Sequence, residues 1–162
     1  MKILFTGFEP FDGGTSNPSY ACLRELPPTI GTAELVTMEL PVSFRRAPEL
    51  LLKGMDAEGP DAVICLGLAA NRKKISLEKV GLNYAYARIP DNDGMQPRDI
   101  PLDPSGPAAC FSTLPVWDLA AELNQAEIPA EVSLSAGSYV CNCLLYHLLR
   151  AAGRMPACFI HV

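Results

Sequence analysis

The side chains best suited to chemistry lie in the segment SYVCNCLLYHLL, residues 138–149, which begins with two cysteines one residue apart. Gly137 and Ser138 predict a turn and a helix N-cap, which places Cys141 at the third helical position. The backbone amides at such a position have no intrahelical acceptor, and the positive end of the helix macrodipole is near. Both effects favour a thiolate over a thiol, so Cys141 is a candidate nucleophile.

The spacing of the two cysteines argues against a shared role. Cys143 lies about 200° around the helix from Cys141, so the two side chains face different ways. Cys-x-Cys also differs from the Cys-x-x-Cys spacing of redox helices and zinc sites. From spacing alone, the favoured interpretation is that both cysteines are ordinary core residues, and a nucleophilic role for Cys141 stays open.

A nucleophilic thiol needs a base and an acid that orients the base, and the chain has only two histidines. His147 lies on the same predicted helix as the cysteines but points away from Cys141, which favours a packing or surface role. His161 ends a predicted strand, and Glu78 is a carboxylate inside the apolar extended stretch ISLEKVGLN. Together they give a possible Cys-His-Glu set, against the ordinary alternatives of a structural histidine and a solvated carboxylate.

Short apolar runs alternate with amphipathic segments, and these elements must position the candidate groups. We predict strands at 2–7, 33–40, 61–68 and 157–162, a strand and turn at 130–137, and helices at 17–26, 42–59, 116–126 and 139–153. Residues 75–89 are expected to be extended, and a loop rich in Pro, Gly and Asp follows to about residue 107, with a lid as its candidate role. The alternation favours an α/β fold of three layers with a twisted, mostly parallel central sheet. Functional groups gather beyond the carboxyl ends of the strands in such sheets, where residues 7–14, residues 135–141 and His161 are expected.

Composition limits the classes of function. The chain has 162 residues, 49% hydrophobic and 19% charged, which predicts one globular domain covering residues 1–162. The net charge of −5 argues against nucleic acid or an anionic membrane as a partner. The only basic cluster, NRKK at 71–74, is too short for an interaction tail. No apolar run approaches the roughly 20 residues of a membrane span, and no signal peptide is visible. We therefore expect a cytoplasmic protein whose six cysteines are free thiols.

Eight segments spread over the chain form a common pattern: TGFEPF (6–11), NPSY (17–20), LPVSFRRA (40–47), PDAVICLGLA (60–69), ISLEKVGLN (75–83), ARIPDNDG (87–94), SAGSYVCN (135–142) and FIHV (159–162). In these segments the sequence resembles the type I pyroglutamyl peptidases, also called pyrrolidone-carboxylate peptidases. These are cysteine peptidases that remove an N-terminal pyroglutamyl residue. The resemblance implies a nucleoside-phosphorylase-like α/β/α sheet, N-terminal pyroglutamyl peptides as substrates, no metal or organic cofactor, and a homotetramer.

The resemblance also implies roles for individual residues. In the motif SAGSYVCN it implies that Cys141 is the nucleophile, and Cys143, outside the motif, is expected to pack. It implies that His161 is the general base and that Glu78 orients it.

For substrate binding, the resemblance implies that Phe8 and Phe11 hold the lactam ring and that Asn17 fixes the loop carrying them. It implies that Arg88 lies near the oxyanion. The alternatives are that both phenylalanines are core residues and that Arg88 pairs with an aspartate of the following loop.

The sequence departs from the family pattern at several points. Leu68 replaces the usual Gln, residues 70–71 replace a Gly-Gly pair, Lys79 replaces an Arg, and Tyr86 replaces an acidic residue. The chain ends one residue after His161, so the C-terminal helix of the family is expected to be absent and one sheet face exposed. These differences leave a second hypothesis: a catalytically impaired or non-catalytic relative that binds pyroglutamyl peptides or serves as a structural subunit. A third is another small-molecule enzyme on the same type of sheet.

Overall fold

The computed structural model describes residues 1–162. Its strands are β1 (Lys2–Phe8), β2 (Thr29–Ile30), β3 (Ala33–Leu40), β4 (Ala62–Gly67), β5 (Ile75–Glu78), β6 (Val80–Leu82), β7 (Ala109–Phe111), β8 (Ala130–Ser133) and β9 (Ala157–His161). Its helices are α1 (Pro18–Ala21), α2 (Arg46–Glu58), α3 (Val116–Gln125) and α4 (Val140–Ala152). None of these helices has the length and apolar character needed to cross a membrane.

The central sheet has seven strands in the order β2-β3-β1-β4-β9-β5-β8. The four strands β3, β1, β4 and β9 are parallel to one another. β5 is antiparallel to β9 and parallel to β8, and β2 is an antiparallel edge strand. The predicted mostly parallel sheet is confirmed. Besides the antiparallel edge strand β2, β5 is antiparallel to β9, which the sequence did not reveal.

The side-chain alternation of the central strands produces the three layers. Val63 and Cys65 of β4 and Phe159 of β9 belong to the main core, where α2 and α4 pack on one face. Ile64 and Cys158, one position along, join a separate apolar cluster with α3 on the other face. The predicted α/β/α layering is thereby confirmed.

Two predicted helices are shorter than expected for local reasons. The helix predicted at 17–26 is α1 followed by a 3₁₀ turn at Cys22–Glu25. The helix predicted at 42–59 begins only at Arg46, whose backbone amide donates to Ser43 Oγ at 2.9 Å. Pro48 then falls in the first turn of α2, where its missing N–H removes no helical hydrogen bond.

The loop after residue 90 is held by the carboxylate of Asp91. Asp91 Oδ2 accepts from the backbone amide of Phe44 at 2.8 Å, and Oδ1 accepts from the amides of Asp93 and Met95 at 3.0 and 2.7 Å. Asp93 in turn pairs with Arg46 at 3.2 Å. The loop is therefore fixed to the start of α2.

Candidate active site

The antiparallel pairing of β5 with β9 brings Glu78 to His161. Glu78 lies opposite Phe159 in the register, so His161, two residues further along β9, is its diagonal neighbour on the same face. The His161 Nδ1–H donates to Glu78 Oε1 at 2.7 Å. Both side chains are buried. They lie on the same face of the sheet as Phe159, which packs in the main core with α4.

Glu78 has a second partner that the sequence analysis did not assign. Arg72 Nη1 donates to the same oxygen, Glu78 Oε1, at 2.6 Å, and Arg72 Nη2 donates to the backbone carbonyl of Ser135 at 3.0 Å. Burial raises the pKa of Glu78, but the hydrogen bond of His161, the nearby Ser133 hydroxyl and the charges of His161 and Arg72 outweigh it and hold that pKa below the ordinary 4.5. Glu78 is therefore an ionised carboxylate inside the protein.

Cys141 is the second residue of α4, since the N-cap is Tyr139. The prediction that Ser138 caps this helix is wrong, because its hydroxyl donates instead to the backbone carbonyl of Tyr86 at 2.9 Å. The turn before it uses Gly137 at φ +82°, a left-handed conformation suited to glycine. The amide end of α4 still points at the site, as the sequence predicted.

The helix end was expected to favour the thiolate of Cys141, and burial acts against it. Burial raises the pKa of the Cys141 thiol to about 12, and the charge of Glu78 raises it further, whereas its own backbone amide and Arg72 lower it by less. The loss of hydration around the sulfur raises its pKa by more than the helix end lowers it. A thiol whose pKa is raised in this way needs a base to remove its proton before it attacks a carbonyl.

A close approach between strand β4 and the helix leaves no room for a side chain beside the sulfur. Gly67 pairs with His161 in the parallel register of β4 and β9. A Cβ on Gly67 would lie 2.5 Å from Phe159 Cζ and 3.1 Å from Cys141 Sγ. Glycine at this position lets the thiol, the ring of Phe159 and the strand pack together.

A cavity of about 180 Å³ opens over these groups. It is lined by Phe8, Phe11, Asn17, Val42, Leu68, Ala136, Gly137, Ser138, Tyr139, Val140, Cys141 and His161. Drug-sized ligands usually occupy about 300–1,000 Å³, so this cavity suits a smaller group. The ionisable side chains in the lining are Cys141, His161 and the phenol of Tyr139. The lining contains no Asp or Glu.

The loop that carries the two phenylalanines is held by Asn17. Its Nδ2 donates to the backbone carbonyl of Glu9 at 3.0 Å, and its Oδ1 accepts from the Ser19 amide at 3.1 Å and hydroxyl at 2.8 Å. Ser19 Oγ in turn accepts from the backbone amide of Phe8 at 2.9 Å. Phe8 is both a wall of the cavity and a member of the main core, whereas Phe11 is only partly buried.

Arg88 is not part of this cavity. It lies in an adjoining hollow of about 380 Å³ that shares Phe11, Ser138 and Tyr139 with the cavity. Its guanidinium is exposed and forms no ion pair. The alternative that Arg88 pairs with an aspartate of the following loop is wrong, because Asp91 and Asp93 are held by other groups.

Three further residues have defined places in the structure: Cys143, His147 and Leu68. Cys143 is buried, and its thiol donates to the Phe44 carbonyl at 3.3 Å, so it packs as expected. His147 lines a different hollow, away from Cys141. Leu68, noted only as a departure, forms part of the cavity wall, and its place directly after β4 was the available signal. No group of three or more His, Cys, Asp or Glu side chains is placed to hold a metal ion.

The chain is similar to known proteins along its whole length. A family model described as pyroglutamyl peptidase matches residues 1–162. Pyrrolidone-carboxylate peptidase 1 of Caldanaerobacter subterraneus subsp. tengcongensis is 43% identical over 166 residues, covering 100% of this chain and 82% of the relative. The pyrrolidone-carboxylate peptidase of Streptococcus pyogenes serotype M4 is 45% identical over 149 residues, covering 92% of this chain and 69% of the relative.

Solved structures give the same result. Pyroglutamyl peptidase I of Bacillus amyloliquefaciens has a TM-score of 0.95 at 38% identity, covering 99% of this chain and 81% of its own. A mutant pyrrolidone carboxyl peptidase from Pyrococcus furiosus has a TM-score of 0.96 at 41% identity, covering 100% of this chain and 80% of its own. Similarity of this extent covers all the elements that build the site.

Proposed function

Because the chain belongs to the pyroglutamyl peptidase family, we propose that the cavity beside Cys141 binds the lactam ring of an N-terminal pyroglutamyl residue. The activity is that of a peptidase that removes this residue from peptides. The assignment of roles to individual side chains is our proposal. The similar proteins named above all carry peptidase names and give no support to a non-catalytic relative.

One observation carries this proposal: a thiol and an imidazole open into a small cavity that offers no carboxylate. An ordinary aminopeptidase needs a negative group for the free α-ammonium of its substrate, because a buried, unpaired ammonium is very costly. A pyroglutamyl residue has no such charge, since its nitrogen is part of a neutral lactam. The aromatic side chains of Phe8 and Phe11 suit the faces of that ring, and backbone groups can bind its amide.

The first half of the reaction forms a thioester. His161 Nε2 takes the proton of the Cys141 thiol while the sulfur bonds to the pyroglutamyl carbonyl carbon. The amides of Val140 and Cys141 lack acceptors within α4 and are suited to hold the oxyanion, with about 3 kcal/mol for each such donor. The imidazolium then gives its proton to the leaving amine as the C–N bond breaks.

The second half releases pyroglutamate. His161, neutral again, removes a proton from water as the water oxygen attacks the thioester carbonyl. The C–S bond breaks, and the proton on His161 returns to the sulfur of Cys141. Glu78 keeps the imidazole oriented with its proton on Nδ1 throughout, so that Nε2 remains free to accept.

Substrate discrimination tests the function. We expect the chain to release the fluorophore from a pyroglutamyl amide but not from the matching prolyl amide, whose ring nitrogen is a charged amine. Release is measured by fluorescence under reducing conditions. Equal cleavage of both compounds, or cleavage of the prolyl amide alone, would contradict a neutral lactam site.

Truncating one ring wall tests the binding role of Phe11. Phe11→Ala removes an aromatic face from the cavity. Phe11 is only partly buried and packs against the edge of the main core without belonging to it, so we expect the fold to be retained. We expect KM for the pyroglutamyl amide to rise by about tenfold or more, corresponding to about 1.5–3 kcal/mol of lost apolar contact, with a smaller change in kcat. Steady-state kinetics measure both, and an unchanged KM would show that Phe11 does not hold the ring.

The leaving peptide is proposed to run through the adjoining hollow, past the exposed guanidinium of Arg88. The shared walls of cavity and hollow support this path. From the family resemblance we also propose that residues 1–162 act as one domain, that the protein is cytoplasmic and that it assembles as a homotetramer.

A further inference from the structure

We propose that Arg72 is a positioning residue for this reaction: its guanidinium keeps Glu78 ionised and directed at His161. The proposal rests on the catalytic roles proposed above. Arg72 lies in the turn after β4, within the NRKK cluster that the sequence analysis considered only as an interaction tail. It does not line the substrate cavity.

The contacts of Glu78 show why a permanent cation is needed. Oε1 accepts from both Arg72 Nη1 at 2.6 Å and His161 Nδ1 at 2.7 Å, whereas the buried Oε2 has no hydrogen-bond partner. A buried carboxylate with one bare oxygen requires a counter-charge. His161 is a cation only between proton transfers, and Lys79 Nζ is directed away to the Ser112 carbonyl at 2.9 Å. Arg72 is therefore the cation that contacts Glu78 through the whole cycle.

The tautomer of the base depends on that charge. Without Arg72, the buried carboxylate would keep only the hydrogen bond of a neutral His161 and no counter-charge, which favours its protonation. A protonated carboxyl donates to Nδ1, which leaves the imidazole proton on Nε2. That tautomer cannot accept the proton of the Cys141 thiol.

The other arm of the guanidinium fixes the loop before the nucleophile. Arg72 Nη2 donates to the Ser135 carbonyl at 3.0 Å, and residues 136–139 that follow line the cavity. One planar group thus links Glu78 to the loop that leads to Cys141. A lysine would supply the charge but could not present the same two parallel donors.

The test compares Arg72→Ala and Arg72→Lys with the control Lys73→Ala, which removes an exposed charge from the same turn. We expect Arg72→Ala to lower kcat for the pyroglutamyl amide by about a hundredfold, with KM close to that of the parent. The kcat of Arg72→Lys should lie between those of Arg72→Ala and the parent, and Lys73→Ala should keep the kcat of the parent. Added guanidinium ion at non-denaturing concentration should restore several-fold activity to Arg72→Ala, whereas urea or potassium chloride should not.

Alkylation of Cys141 by iodoacetamide, followed by peptide mass spectrometry, gives a second readout that needs no turnover. It should slow in Arg72→Ala and recover with guanidinium ion. Three outcomes would overturn the role of Arg72. The first is an Arg72→Ala variant with unchanged kcat and unchanged alkylation, and the second is an effect on KM alone. The third is a loss of kcat that only follows a lower melting temperature and that guanidinium ion does not relieve. A parent that cleaves no pyroglutamyl amide but shows this alkylation pattern would contradict the proposed function and uphold Arg72.

Discussion

Replacing Cys141 by serine is expected to lower the release of fluorophore from a pyroglutamyl amide by at least about a thousandfold. The cause is chemical, since cysteine is intrinsically far more nucleophilic than serine. Serine is nearly isosteric with cysteine, so the fold and the cavity should be retained. Turnover measures the loss, thermal unfolding confirms the fold, and calorimetry should show that a pyroglutamyl peptide still binds.

The matched control is Cys143→Ala, two residues along the same helix. Its thiol contacts only the Phe44 carbonyl and the core, so this variant should lose some stability but keep its turnover. If Cys141→Ser cleaves as fast as the parent, Cys141 is not the nucleophile. If the folded parent cleaves nothing while binding the peptide, the non-catalytic hypothesis is the better one.

The sequence predicted the elements that carry the site because their signals are local. Apolar runs identified the strands, and a Gly-Ser turn before an amphipathic segment located the start of the helix near Cys141. The strand end at His161 also follows from local pattern. Once a strand is known to be central, the alternation of its side chains fixes which face His161 shares with Phe159.

The contacts between these groups were not predictable in the same way. Glu78 meets His161 because β5 is antiparallel to β9, a register that apolar patterning does not encode. Arg72 reaches Ser135 across 63 residues of sequence. Burial, a property of the folded pocket, raises the pKa of the Cys141 thiol and opposes the effect expected from the helix end.

The Ser138 prediction was wrong for a related reason. A hydroxyl before a helix can cap it or bond elsewhere, and the local sequence does not decide between the two. Here the Tyr86 carbonyl, 52 residues away in sequence, takes the hydroxyl and fixes the rim of the adjoining hollow.

Replacing Glu78 by glutamine is expected to lower kcat by about 10²–10⁴-fold with little change in KM. A glutamine amide can donate to His161 Nδ1, which moves the imidazole proton to Nε2 and blocks transfer from the thiol. KM should stay close to that of the parent because Glu78 does not line the cavity. Steady-state kinetics separate the two constants, and a rise in KM at constant kcat would contradict an orienting role.

The same substitution should change how stability depends on pH. The folded pKa of Glu78 is below its ordinary 4.5, so its stabilising contribution is present above that value and is lost as the pH falls through the folded pKa. Glu78→Gln should therefore cost about 1–3 kcal/mol of unfolding free energy at neutral pH, because it leaves Arg72 without its charged partner. In urea unfolding, the gap to the parent should narrow as the pH falls well below 4.5. A gap that stays constant or widens in acid would mean that Glu78 is not held as a carboxylate, and the orientation of His161 would then need another cause.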